Sequence, residues 1–348
     1  MDERSDDFER RLVAIREEAA ARGVVEAGGV RASGSPVPAA NASHGYYGLP
    51  LLKPPVWTWE VPTYFFVGGA AGAAAVIGAV ARATGGHPTL VRDARWIAAV
   101  GGAAAPPLLV GDLGRPERFL NMLRVFKVRS PMSLGAWTLV AFSNAAGASA
   151  FIDLVDRATE GRLPIRLVGD AAEFLSAATG LVLSTYTGVL IGATVIPVWS
   201  HNVQVLPVHF AASSVGAAVS ILELLGHEDA SLNNLAIGAA AVKMLIGLSI
   251  EMRSDPALEP LRTGRAGALM RAGGLLSGPL PMAIRFLAGH SPSARRVAAA
   301  ATIAGSIMTR AGWFAAGRES AKTPARPAIG AGASAGVAQP SPEPASNP

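Results

Sequence analysis

The 348 residues are half hydrophobic and only 16% charged, and 30 Lys and Arg outweigh 25 Asp and Glu for a net charge of +5. So little charge argues against a soluble pair of domains, and the complete lack of cysteine excludes disulfides, Cys-ligated zinc and thiolate-held iron–sulfur clusters of the chain's own. The basic residues gather at the ends of apolar runs, the pattern of membrane-flanking charge, which leaves no role for nucleic acid as a partner.

In chain order, residues 1–22 carry Phe8, Leu12 and Ile15 at spacings of four and three among mixed charges, which predicts a short amphipathic helix. No apolar h-region follows its basic residues, so it does not read as a signal peptide. Residues 23–45, rich in Gly, Ala, Ser and Pro, read as a linker that completes an N-terminal region over 1–45. The region 46–316 holds eight apolar segments, at about 61–83, 94–112, 132–154, 171–197, 203–225, 233–252, 266–287 and 295–315. Uncharged runs at 61–81, 132–152 and 174–200 each reach the roughly 20 residues a helix needs to cross about 30 Å of hydrocarbon. Arg271, Arg285 and Arg310 cut the last two segments to apolar cores of about 13 residues, which suit spanning or interfacial helices. Gly68 and Gly72, four apart in the first segment, allow close helix approach in lipid. Trp57 and Trp59 stand ahead of it, where amphipathic rings prefer headgroup depth. Residues 317–348, rich in Ala, Pro and Ser, are expected to be disordered.

The fold class expected is thus an all-α integral membrane protein with eight transmembrane helices. Loops on the side of the N-terminus (113–131, 198–202, 253–265) carry eight Lys or Arg, and those opposite (84–93, 155–170, 226–232, 288–294) carry four. The positive-inside rule then places a multi-pass protein in the cell membrane with both termini cytoplasmic.

Charged and polar residues inside or beside these segments are the candidate functional groups. Asp112 opens "DLGRPERF". It either pairs with Arg115 and Arg118 at the membrane surface around a turn at Pro116, or belongs to a docking face or headgroup pocket. In the second case Arg118, Arg124, Lys127 and Arg129 meet an acidic partner surface or membrane lipid. Glu60 and Tyr64, four apart at the mouth of the first segment, share a helix face and suit hydrogen bonding and proton exchange with a ligand carbonyl; Glu60 equally suits the positive helix start. Tyr186, with Ser184, Thr185 and Thr187, falls in mid-segment, where hydroxyls also bond neighbouring helices. Lys243, near the centre of the sixth segment, costs roughly 2.5 to 3.5 kcal/mol there and must find a partner, for which Glu173, Glu223 and Glu251 are candidates. Either it forms a structural ion pair, or it belongs with Glu173, His209 and Glu223 to a proton route. His209 is the one histidine well inside a segment, too few for a di-haem cytochrome, so no haem is expected. No metal site and no catalytic residue set is read from the chain, and no nucleotide-binding or metalloprotease motif falls in a suitable context.

"GDLGRPERFLNMLRVFKVRSPMSLGAW" (111–137), with "KPPVWTWEVPTYFFVGGAAGA" (53–73) and "TYTGVLIGATVIPVW" (185–199), resembles the NrfD and polysulfide-reductase membrane-subunit family. The likeness covers about 50–255. It implies eight helices arranged as two four-helix bundles, which bind a quinone, menaquinone or ubiquinone, and exchange electrons with a separate iron–sulfur subunit bearing four-iron clusters. Beyond that subunit it implies a molybdopterin-type catalytic subunit, and the absence of cysteine accords with clusters held elsewhere. Carried over, the quinone-proximal positions fall on Glu60, Tyr64, Asp112, Arg115 and Tyr186. Two crossings return the chain to its starting side, so the Glu60 end and the "DLGRPERF" loop are expected on one face. The rivals are a secondary transporter binding substrate at Gly-broken helices, although the halves show no inverted repeat, and a tether without catalytic part.

Overall fold

The computed structural model describes residues 25–26, 29–30, 52–113 and 115–322. The amphipathic segment expected over 1–22 and the chain beyond 322 lie outside the described residues. The chain divides into two units. In the first, β1 (Val25–Glu26) pairs antiparallel with β2 (Gly29–Val30), within the stretch whose composition reads as a linker.

The second unit, Leu52–Thr323, carries the described helices. These are α1 (Glu60–Ala83), α2 (Pro88–Gly111), α3 (Arg118–Met122), α4 (Pro131–Ala158), α5 (Arg166–Gly192), α6 (Pro197–Ser200) and α7 (Val205–Leu224). There follow α8 (Ala230–Met252), a 3-10 turn (Pro256–Leu258), α9 (Glu259–Arg262), α10 (Gly264–Ser277), α11 (Pro279–Ala288) and α12 (Pro292–Lys322). Five of them, α1, α4, α5, α7 and α8, are long and apolar enough to cross a membrane. The other three apolar segments are helical but interrupted. Arg92, Asp93 and Arg95 shorten the apolar run of α2, and Arg295, Arg296 and Arg310 that of α12, which runs past residue 317 to Lys322. The seventh segment is broken: Ser277 ends α10, Gly278 turns out of helical geometry at φ −123° and ψ −99°, and Pro279 starts α11. Proline has no N–H to extend the ladder and restricts the residue before it, so Gly-Pro divides the segment.

α1 packs on α2 and α5, and α4 on the same two helices, while α7 packs on α8 and α12, and α10 and α11 pack on α12. α7 also lies against α1 and α5 and so joins the two groups. Small residues set the closest crossings. A Cβ on Gly72 would run into the Gly180 carbonyl, and one on Gly305 into the Gly273 carbonyl. In a lipid-facing fold such contacts supply the packing that the hydrophobic effect supplies in water. α2 contains Pro106 and Pro107, and Pro106 cannot donate to the carbonyl of Gly102. Ser143 Oγ of α4 donates to that carbonyl at 2.7 Å, satisfying a group that would otherwise face hydrocarbon.

Ahead of α1, Trp57 turns inward. It stacks on Trp199 at 5.8 Å and meets Phe314 edge-on at 5.6 Å, and Trp199 Nε1 donates to the Trp313 carbonyl at 2.9 Å. This cluster joins the segment before α1 to α6 and α12 at the Glu60 end. Trp59 is exposed, as an interfacial ring would be.

Candidate functional site

At the Glu60 end a cavity of about 80 Å³ opens between α1, α2, α4 and α5, lined by Tyr64, Asp112 and Tyr186 among apolar side chains, with Met122 and Met132 in its wall. Tyr64 stands one turn inside α1 and is buried, and its hydroxyl has no hydrogen-bond partner among the described residues. Tyr186 reaches across from α5, and its hydroxyl donates to the carbonyl of Pro131 in the first turn of α4. Asp112 caps the end of α2. Its Oδ1 accepts from the Thr58 amide at 2.9 Å and from Thr58 Oγ1 at 3.0 Å. The same Thr58 hydroxyl meets Glu60 Oε2, and with a single proton it serves one carboxylate at a time. Thr58, which the sequence reading did not single out, thus couples Glu60 to Asp112.

Of the five residues carried over from the resemblance, Tyr64, Asp112 and Tyr186 converge on one cavity. Glu60 stands behind it, linked to Asp112 through the Thr58 hydroxyl, and Arg115 is exposed on the loop and does not line it. Arg118 opens α3. Arg124, Lys127 and Arg129 are all exposed on the loop before α4. Three contacts hold that loop to α4: the Lys127 amide donates to Ser133 Oγ at 3.0 Å, Ser133 Oγ donates to the Val125 carbonyl at 3.2 Å, and the Phe126 ring meets Trp137 edge-on at 6.1 Å.

A second polar region lies within the group α7, α8, α10 and α12. Lys243 Nζ donates to Ser277 Oγ at 2.5 Å and to Ser213 Oγ and Ser306 Oγ at 3.4 Å each. Ser277 is the last residue of α10, so the ammonium sits at the break in the seventh segment. Arg310 Nη1 reaches the same Ser213 Oγ at 2.6 Å, and Nη2 reaches Ser214 Oγ at 3.0 Å. Its guanidinium lies over the faces of Phe66 and Phe210, at 5.7 and 5.3 Å from the centroids. Towards the Glu60 end, Trp313 Nε1 donates to His209 Nδ1 at 3.2 Å.

The carboxylates proposed as partners of Lys243 are taken by other residues. Glu223, on the same helix as Ser213, is bidentate to Arg285 at 2.5 and 2.7 Å and meets Arg295 at 3.0 Å. Ten residues of α7 separate it from Ser213, about 15 Å at 1.5 Å per residue, beyond the reach of Lys243. Glu173 lies in the other helix group, between Arg82 at 2.7 Å and Arg95 at 2.6 Å. Glu251 faces Arg271 at 3.4 Å and Arg262 at 3.9 Å. Among the described residues Lys243 has hydroxyl partners and no carboxylate, which corrects the ion-pair expectation. Of the four residues read as a proton route, His209 and Lys243 share one neighbourhood, around Arg310, while Glu223 and Glu173 lock helix ends. Arg310, Arg285, Arg82 and Arg95 were missed as site residues. Their signal was present as arginines inside or beside apolar runs that had to find partners.

Outside the spans, His201 Nδ1 lies 2.9 Å from Asp255 Oδ2, and this bond holds the Asp255 carboxyl below its ordinary range. Asp255 also accepts from the Ala257 amide at 2.9 Å and so starts the turn that leads into α9.

The model of the family described as "Polysulphide reductase, NrfD" matches residues 51–248, more than half of the chain. No curated protein matches it.

Proposed function

The chain belongs to the NrfD polysulphide-reductase family, membrane subunits of quinone-interacting oxidoreductase complexes, and from that premise we propose that it is the quinone-reactive subunit of such a complex. It is a multi-pass membrane protein, and we read its eight helical segments as eight crossings in two four-helix bundles. Family members partner with iron–sulfur and catalytic subunits in general. We assign the docking of a four-iron-cluster subunit, and behind it a molybdopterin-type subunit, to the Glu60 end.

The observation that carries this reading is the convergence of Tyr64, Asp112 and Tyr186 on one apolar-walled cavity beside the exposed basic loop. A phenol and a carboxylate opening on apolar walls suit a ring carbonyl and hydroxyl. Bound quinone, menaquinone or ubiquinone, supplies the two-electron, two-proton chemistry. Tyr64 offers an uncommitted hydroxyl. Asp112 takes or gives a proton, while Thr58 fixes the orientation of its carboxylate and links it to Glu60 as the next group out. At about 80 Å³ the cavity has room for two or three waters, so a headgroup needs Met122 and Met132 to swing aside, which unbranched thioether side chains do readily. In the assembled complex, Asp112→Asn is expected to lower quinol-dependent turnover by about 10²-fold or more, the scale of a lost general base, and Glu60→Gln by less. Unchanged turnover in both variants overturns the assignment. Purification with no bound quinone favours a tether.

A second activity is favoured by Lys243. Two cations buried in mid-bundle share the Ser213 hydroxyl and have no carboxylate partner among the described residues, and of the two only Lys243 can exchange a proton, since a guanidinium stays charged. We assign to Lys243, with His209 towards the Glu60 end, a step in proton movement coupled to quinol turnover. In proteoliposomes Lys243→Met is expected to abolish proton movement while quinol oxidation continues; proton movement at the native ratio contradicts this role.

A further inference from the structure

At the Ala83 end, away from the Tyr64 cavity, a slot of about 350 Å³ separates α1 and α5 from α8, with α7 as its floor. Along α1 its wall runs from Ala73 to Thr84, eleven residues or about 16 Å, which is half the thickness of a hydrocarbon layer of about 30 Å. Val80 and Leu235 line it and are 56% and 41% exposed, so the slot opens sideways between α1 and α8. Through this depth the walls are apolar except for Ser184, whose hydroxyl donates to the Leu181 carbonyl at 2.8 Å, and the other polar residues gather at the mouth, where His87, Asp229 and Ser231 stand.

The chemistry of that mouth selects the headgroup. His87 Nδ1 accepts from the Thr89 amide at 3.4 Å and lies 2.7 Å from Thr89 Oγ1, which puts the ring proton on Nε2 and leaves it as a donor. Asp229 Oδ1 accepts from the Ser231 amide at 2.7 Å, leaving Oδ2 as an acceptor. The nearby guanidiniums are committed elsewhere, Arg82 to Asp170 and Glu173, and Arg295 to Glu223 and the Asp229 carbonyl. With no Lys or Arg among the described residues of the lining and a carboxylate in place, a phosphate headgroup is repelled. A neutral ring whose oxygens accept from His87 Nε2 as carbonyls when oxidised, and as hydroxyls accept from His87 and donate to Asp229 Oδ2 when reduced, suits these two groups.

We propose that this slot is a second docking site for an isoprenoid quinone or quinol, on the membrane face opposite the Tyr64 cavity. It holds the molecule by its tail and its ring oxygens and exchanges it laterally with the bilayer. It performs no redox step. The site stands on its own geometry and does not require the Tyr64 assignment.

The test is photolabelling of the whole complex, in phosphatidylcholine nanodiscs, with an azido derivative of decylubiquinone, the labelled peptides being located by mass spectrometry. Label is expected at 84–90 and 229–235, competed away by excess decylubiquinone. In Val80→Trp/Leu235→Trp, which fills the slot from its lipid-exposed side, that label falls about tenfold or more, equivalent to 1.4 kcal/mol of binding, while label near Tyr64 is unchanged. Asp229→Asn, which keeps a good N-cap for α8, is expected to weaken the label severalfold and guards against a misfolded double variant. No label at these peptides, or label that phosphatidylethanolamine removes and decylubiquinone does not, overturns the proposal. Loss of label near Tyr64 alone bears on the other cavity and leaves this one standing.

Discussion

Arg285 and Arg310 are both buried guanidiniums in the same helix group, yet they are held in opposite ways. Arg285 forms a fork with Glu223, beside Arg295, at the Ala83 end of the bundle. Arg310 lies in mid-helix against Ser213, Ser214 and two aromatic faces, with Lys243 sharing Ser213. The comparison separates charges that hold the fold from charges that the fold must tolerate. A paired ion left without its partner is a buried charge with nowhere to go. An unpaired ion removed is a cost relieved.

Four changes sharpen that contrast. Glu223→Ala strands both Arg285 and Arg295 and is expected to cost about 3–5 kcal/mol, the price of breaking a buried pair, read as a large fall in melting temperature in detergent. Glu173→Gln is expected to cost less, about 1–3 kcal/mol, because Arg95 keeps Asp153 at 2.5 Å and Arg82 keeps Asp170 at 2.5 Å. Lys243→Met removes a charge that has no carboxylate partner among the described residues and fills the space with a flexible apolar chain. Its melting temperature is expected to match or exceed the native one, and a fall as large as that of Glu223→Ala removes the distinction drawn between the two kinds of charge.

The smallest effect lies outside the spans. Asp255 is lowered in the folded state by His201, so its contribution is present above the unfolded carboxyl value of about 3.9 and is lost as pH falls through the folded value below it. Asp255→Asn is expected to lower the melting temperature slightly at neutral pH, where that contribution is present, and to leave it unchanged well below about pH 4, so that the acid limb of the profile is flatter. An acid limb identical to the native one contradicts this pairing.

Much of the helix framework was legible in the sequence, since long uncharged runs leave a chain in lipid few alternatives. Four of the five spanning helices start and stop within four residues of the expected segments, while α5 starts and ends five residues earlier than the expected 171–197, and proline at the first position of α2 and α4 marks their entry. The break in the seventh segment was written as "SGPLP", but a count of apolar residues passes over it. The convergence of Tyr64, Asp112 and Tyr186 followed from a family resemblance together with the return of the chain after two crossings. Thr58, the group that joins Glu60 to Asp112, gives no signal of its own. The partners of Lys243 were not legible, because depth along a helix decides which groups can meet. Glu223 is close in sequence to Ser213 but about 15 Å further along α7, and serines are too common in these helices to mark a site. Arg82 and Glu173, 91 residues apart, meet only because α1 and α5 cross through Gly72 and Gly180.

Single-turnover reduction of the partner's iron–sulfur clusters by quinol tests the central claim most directly, in the assembled complex carrying Tyr64→Phe with Asp112→Asn. The account predicts that cluster reduction slows by about 10²-fold or more while dithionite still reduces the clusters fully. Reduction by quinol at the native rate contradicts the claim that the cavity beside Glu60 is where electrons and protons are exchanged.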